Sequence, residues 1–340
     1  MDTVKLAGVA KQMVALGKGI IAADESAGTC AKRFESVGVD CTEETRRQYR
    51  GLIIETDGLE KYVSGIILYD ETIRQKNDAG VPFLQVLAEK GILPGIKVDA
   101  GAKNLALHDG EKITEGLDGL RERLAEYAKM GAKFAKWRAV ITIGRGIPSD
   151  ACIRGNAHAL ARYAALCQEA DIVPIVEPEV LIDGDHTIEQ SYEATAKIQK
   201  ILFAELAEQS VVSEGLILKA SMVISGKSAK EQSSVEDVAR ETVRCLKENV
   251  PATLAGVVFL SGGQGDEQAT ANLNAMNVGG SLPWPLSFSY SRAIQNPVLK
   301  VWAEDIKANV GKAQAALLHR AKMNSLAAQG KYDPSMESAK

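Results

Sequence analysis

Short apolar runs and longer amphipathic stretches alternate along the whole chain. The segments "GIIAAD", "VSGIILY", "GIKVD", "KFAKWR", "VPIVEPE", "GLILK", "GVVFLS" and "LSFSY" read as eight strands. They end near Asp24, Tyr69, Asp99, Arg138, Glu179, Lys219, Ser261 and Tyr290, most of them roughly 30–45 residues apart. Between them lie helical patterns such as "GLDGLRERLAEYAKMG" and "SVEDVARETVRCLKENV". No Pro/Ser-rich linker or low-complexity segment interrupts the series. The spacing therefore predicts an α/β fold, a single (β/α)8 TIM barrel over residues 1–340. The alternative is an open doubly wound sheet, which usually carries a Gly-rich phosphate fingerprint after its first strand; "ADESAGT" is not G-x-G-x-x-G. Ahead of the first strand, Leu6, Val9, Met13 and Leu16 recur at helical spacing and Gly17 and Gly19 close the run, predicting an extra N-terminal helix. From about Gly330 the sequence turns polar and contains Pro334, which predicts a flexible tail over 330–340.

Composition narrows the class. The 340 residues are 46% hydrophobic and 25% charged, with a formal net charge of −4, so no whole-protein basic field exists to attract nucleic acid or an anionic membrane. Any anion site must be built from locally clustered basic residues. Lys5 and Lys11 break up any signal-peptide core, and no apolar run is long enough to span a bilayer. The cysteines Cys30, Cys41, Cys152, Cys167 and Cys245 are odd in number and form no C-x-x-C, which is free-thiol usage in a reducing compartment. His108, His158, His186 and His319 are scattered and form no metal-ligand motif. Together these predict a soluble cytoplasmic protein with no metal and no other cofactor.

Lys219 carries the most chemical information. Leu216, Ile217 and Leu218 form a buried run that delivers it at the strand end. An ammonium group there is costly to desolvate unless paired, and a neutral amine attacks carbonyls, so a Schiff-base lysine is one reading. A lysine just past a strand end with its head in water is the other. The remaining strands bear on the choice. Side chains alternate along a strand, so Lys136 shares a face with Arg138, Glu177 with Glu179, and Lys97 with Asp99. In a barrel such pairs, with Asp24, Ser261 and Ser289, would meet at the C-terminal mouth, where barrel enzymes hold their chemistry. A structural ion-pair network is the competing explanation, and it is expensive to desolvate. Lys136 would supply the cation beside the nucleophile. Glu177, with its pKa raised by neighbouring Glu179, would supply the acid for losing water from a carbinolamine, and Asp24 a base for a hydroxyl proton. The turn Ser261–Gly265, with Arg292 after the last strand, suits a phosphate.

These residues bring a family into view. The motifs "GKGIIAADESAGT", "GIKVD", "GAKFAKWRAV", "IVPIVEPEVLIDGDH", "EGLILKASMV", "FLSGGQ" and "SFSYSRA" resemble those of class I fructose-bisphosphate aldolases, the metal-independent Schiff-base type, from about residue 3 to residue 333. The resemblance implies reversible cleavage of fructose 1,6-bisphosphate to dihydroxyacetone phosphate and glyceraldehyde 3-phosphate in glycolysis and gluconeogenesis. It implies a homotetramer and sugar phosphates as the small-molecule partners. By resemblance, Lys219 forms the imine at C2, Glu177 serves carbinolamine formation and dehydration, Lys136 stabilises charge, Asp24 takes the C4-hydroxyl proton, and Glu179 supports the lysine network. Ser261, Gly262, Ser289 and Arg292 resemble the C1-phosphate site, with Arg33 a contributor. Ser26, Lys97 and Arg138 resemble the groups near the C6 phosphate.

The chain also departs from the family pattern. Many members end in a tyrosine on a flexible tail that reaches the active site, whereas the last tyrosine here is Tyr332. Ala220 and Ser221 stand where many members have Pro-Asn, and Ser291 stands where many have glycine. If position 291 needs a positive φ, serine adds strain there. A transaldolase-like Schiff-base sugar-phosphate lyase is the nearest alternative, but it needs one phosphate grip. The two basic sets, Lys97/Arg138 and Arg33/Arg292, favour a bisphosphate. A non-enzymatic scaffold role, through the barrel's outer surface, is the remaining alternative.

Overall fold

Each predicted strand pairs in parallel with the next one in the chain. The computed structural model describes residues 1–338. Its strands are β1 (Gly19–Ala23), β2 (Val63–Leu68), β3 (Leu93–Lys97), β4 (Phe134–Ile141), β5 (Val173–Val180), β6 (Ile217–Ala220), β7 (Gly256–Phe259) and β8 (Leu286–Tyr290). They form a closed barrel in chain order, with β8 beside β1. The (β/α)8 expectation is met. One strand is longer than predicted: β4 runs past Arg138 because Ala139, Val140 and Ile141 continue the ladder against Pro178, Glu179 and Val180. A two-stranded antiparallel ribbon, Ala102–Asn104 with Lys112–Thr114, follows β3 and was not anticipated.

Helices cover the outside, and several start on side-chain caps. Ser149, Thr187 and Ser234 accept backbone N–H groups of Cys152, Gln190 and Asp237 at the starts of helices Asp150–Glu169, Ile188–Glu208 and Val235–Asn249. The layer between strands and helices is one continuous apolar core that includes Ile66, Trp137, Val176, Leu218 and Phe259.

A second, separate cluster fills the lower barrel. Ile20, Ala22, Ile67, Leu93, Phe134, Val173, Ile175, Ile217 and Val258 point inward and meet Leu6, Ala10, Met13 and Val14. The helix Thr3–Met13 thus seals the N-terminal end of the barrel. Gly95 has no side chain because the Phe134 ring occupies that space. The predicted helical stripe holds at Leu6 and Met13, with Val9 partly buried. It fails at Leu16, which is 86% exposed, since the helix ends at Met13 and the chain turns at Gly17 with φ 71.

As far as it is described, the predicted tail touches the barrel's helices at Tyr332 and Glu337. Tyr332 is buried, its backbone N–H donates to Asn274 Oδ1 (2.9 Å), and its hydroxyl donates to Glu337 Oε1 (3.0 Å). Arg320 Nη1 also donates to Glu337 Oε1, at 2.6 Å. The last two positions of the predicted tail, 339 and 340, lie outside the described residues.

Candidate active site

Two residues above the lower apolar cluster, the inward positions become ionic. On β4 the inward series runs Phe134, Lys136, Arg138; on β5 it runs Val173, Ile175, Glu177, Glu179; on β6 it runs Ile217, Lys219. Register sets who meets whom: Lys136 sits beside Lys97, and Arg138 beside Glu177. The result is a cleft of about 600 Å³ at the C-terminal mouth. Every residue singled out from the sequence lines it: Asp24, Ser26, Arg33, Lys97, Lys136, Arg138, Glu177, Glu179, Lys219, Ser261, Gly262, Ser289 and Arg292.

At its base runs an alternating chain of charges across four strands. Asp24 Oδ2 lies 2.7 Å from Lys136 Nζ, Lys136 Nζ lies 3.2 Å from Glu177 Oε2, and Glu177 Oε1 lies 3.0 Å from Lys219 Nζ. All four side chains are buried. Burial works against the Lys136 charge, but Asp24, Glu177 and Asp99 outweigh it and hold its pKa well above the usual lysine range. Burial likewise opposes ionised Glu177, yet Lys136, Lys219 and Arg138 pull its pKa down to about 2. This corrects the expectation of a raised Glu177. The E-x-E spacing exposes one like charge, while the three cations arrive from other strands and dominate.

Glu179 is paired with Arg138, whose Nε donates to Glu179 Oε2. Lys97 Nζ is held by Asp99 through Oδ1 (2.6 Å) and the backbone carbonyl (2.8 Å). Ser26 caps the helix Ala27–Glu35, its hydroxyl accepting from Thr29 N at 3.4 Å. Across the cleft, Gly262 and Gly263 adopt φ of 59° and 97°, a glycine turn that presents backbone N–H groups. The buried Ser289 hydroxyl finds no partner among the described residues.

A buried knot beside the cleft was not foreseen. Glu25 pairs with Arg33, with Arg50 (2.7 Å), and accepts from Ser291 Oγ (2.6 Å) and Gln295 Nε2 (3.0 Å). Burial alone would raise the Glu25 pKa, but Arg50, Arg33 and the Ser291 hydroxyl lower it to about 2. The only sequence signal was the acidic pair Asp24-Glu25. Ser291 has φ −107, so the serine carries no left-handed strain and instead joins this knot. Ser221 is similarly employed: its hydroxyl donates to Val180 O (2.9 Å) and accepts from Val180 N (3.0 Å). It thereby ties β5 to β6 two residues beyond Lys219.

Among the described residues, no group of three or more His, Cys, Asp or Glu side chains stands ready to hold a metal ion. Comparison with known proteins gives a consistent picture. The family model described as "Fructose-bisphosphate aldolase class-I" matches residues 5–340. A "Probable fructose-bisphosphate aldolase class 1" from Xanthomonas campestris pv. campestris is 62% identical over 332 residues, covering 98% of this chain and 99% of the relative. "Fructose-bisphosphate aldolase 2" of Plasmodium berghei is 51% identical over 330 residues, covering 96% of this chain and 89% of the relative. The solved structure of the Plasmodium falciparum aldolase, in a ternary complex with TRAP and a small-molecule inhibitor, superposes with a TM-score of 0.96. It is 49% identical and covers 97% of this chain and 96% of its own.

Proposed function

This chain belongs to the class-I fructose-bisphosphate aldolase family, and we propose that its cleft runs the family's reaction through an imine on Lys219. The reaction is the reversible cleavage of fructose 1,6-bisphosphate to dihydroxyacetone phosphate and glyceraldehyde 3-phosphate, a glycolytic carbon–carbon lyase activity. One observation carries the site assignment: Glu177 stands between Lys219 and Lys136 with one carboxylate oxygen toward each.

That geometry suggests an order of proton transfers. Glu177 starts as a carboxylate, 3.0 Å from Lys219 Nζ. It takes a proton from Lys219, and the freed amine adds to the ketose C2 carbonyl. The protonated Glu177 then returns that proton to the carbinolamine hydroxyl, and water leaves as the C=N bond forms. Because Glu177 is ionised in the resting site and touches Lys219 Nζ, it accepts a proton before it donates one. Asp24 takes the C4-hydroxyl proton as the C3–C4 bond breaks. The electron pair enters the imine to give an enamine, and the aldehyde departs. Protonation at C3 and hydrolysis release the ketone and restore Lys219. Lys136, fixed between Asp24 and Glu177, offsets the negative charge that moves between them. The turn Ser261–Gly263, Ser289 and Arg292 would hold the C1 phosphate, with Arg33 close by. Lys97, Arg138 and Ser26 would face the C6 phosphate.

The test is borohydride trapping with dihydroxyacetone phosphate in the presence of a strong chelator, followed by peptide mass mapping. A stable adduct on Lys219 is expected. A folded sample that forms none would remove the imine mechanism. Family membership also leads us to propose a homotetramer, checked by light scattering. A cytoplasmic location is supported by five unpaired cysteines, and no helix among the described residues is long and apolar enough to cross a membrane.

A further inference from the structure

A basic residue that the sequence reading passed over converges on the glycine turn after β7. Lys227 lies in the segment following β6, and its backbone is fixed by the loop that follows β5. Gly226 N–H donates to His186 O (2.8 Å), Lys227 N–H to Ile182 O (2.9 Å) and Ser228 N–H to Gly184 O (2.9 Å). Gly226 packs so tightly on Gly184 that a side chain there would collide with backbone. The Lys227 Cα is therefore held in place, and its side chain reaches toward β7. A methyl group on Gly263 would lie 2.7 Å from Lys227 Nζ and 3.4 Å from Arg292 Nη2. The ammonium head occupies space that exists because position 263 is glycine, and the guanidinium borders the same spot.

Two cations facing one turn repel each other unless an anion joins them. The recorded ion-pair partner of Lys227 is Asp183, at 3.5 Å, with a carboxylate side chain 70% exposed. Such a pair is long, solvated and weak. The same turn supplies Ser261 and Gly262 to the cleft wall, with Ser289 and Arg292 beside it. An anion drawn to those groups meets one cation in Arg292 and has a second, Lys227, within reach.

We propose that Lys227 is a further binding residue for the phosphate on C1 of the ketose, approaching the Ser261–Gly263 turn from the β6 side while Arg292 approaches from β8. The proposal rests on reading the cleft as the aldolase site. Lys227 touches no reacting atom. Its contribution is to affinity for ligands phosphorylated at C1, and it exchanges Asp183 for the phosphate when one binds.

The experiment compares wild type, Lys227→Met and Lys227→Arg by borohydride trapping at graded concentrations of dihydroxyacetone phosphate and of unphosphorylated dihydroxyacetone. Lys227→Met is expected to raise half-saturation by dihydroxyacetone phosphate by about 10–100-fold, the size of one charge-assisted contact. Trapping of dihydroxyacetone should stay at the wild-type level, and Lys227→Arg should recover most of the loss. In cleavage assays KM for fructose 1,6-bisphosphate should rise more than kcat falls. Unchanged dihydroxyacetone phosphate trapping in Lys227→Met would overturn the assignment, and so would an equal loss for both ligands. Failure of the wild type to trap dihydroxyacetone phosphate would instead strike the imine reading beneath it.

Discussion

The two ends of the barrel are made from the same strands and differ in kind. At the N-terminal end the inward residues are Ile20, Ile67, Phe134, Val173, Ile175, Ile217 and Val258, sealed by the helix Thr3–Met13. Two positions further along, the inward residues are Lys136, Glu177 and Lys219, paired through a single buried carboxylate. Nothing in the backbone marks the change; only the side chains at period two do. The lower half is packed mainly by apolar side chains, with the Ser64 and Ser287 hydroxyls donating to the Gly19 and Lys18 carbonyls. The upper half keeps charges buried at a cost that only mutual pairing offsets. The contrast teaches where stability and chemistry are separable in this fold.

The sharpest division comes from Lys219→Met. Cleavage should fall by about four orders of magnitude or more, since the covalent step is lost, while far-UV circular dichroism stays close to wild type. Next is Glu177→Gln, which leaves two ammonium groups without their shared carboxylate. Single-turnover imine formation should slow by about 10²–10⁴-fold, with a loss of stability on the order of 3 kcal/mol. Phe134→Ala, two residues below Lys136, tests the other half. It should cost about 3–5 kcal/mol in chemical denaturation. A loss of kcat in the folded protein as large as that of Glu177→Gln would break the separation.

Acid should act on the upper half first. The Glu25 pKa drops from the ordinary value of 4.5 to about 2 in the folded protein. A depressed carboxylate contributes stability that is complete above pH 4.5 and is lost as pH falls through about 2. Urea unfolding at pH 5 and pH 3 should show that loss, on the order of 3 kcal/mol for Glu25 when complete, and Glu25→Gln should flatten it. The smallest effect belongs to Leu16→Ser. Because Leu16 is exposed beyond the sealing helix, the change should stay within about 0.5 kcal/mol.

The strands were legible because each is a short apolar run closed by a polar residue, a pattern that parallel barrels impose. The ribbon Ala102–Asn104/Lys112–Thr114 was not, since "AKN" and "KIT" are three residues each, too short to show a period, and "AKN" is exposed throughout. Candidate site residues could be placed at one mouth because alternation and strand ends are local facts. The electrostatics of Glu177 were not local: its controlling cations lie on β4 and β6. Arg50 was invisible for a related reason. It sits in "ETRRQYRGLII" beside Arg46 and Arg47, and only the fold shows that Arg50 is the buried one holding Glu25.

The sealing helix has a consequence for synthesis. Residues 3–13 are made well before their partners: Leu6 must pack against Gly215, and neighbouring Val14 against Gly256, both made more than 200 residues later. At bacterial or eukaryotic elongation rates that is an interval of roughly 10–40 s. Throughout it, the apolar stripe of Leu6, Ala10 and Met13 has no lower barrel to enter. This helix is made early and docks late, and the nascent chain carries its apolar stripe uncovered through that interval.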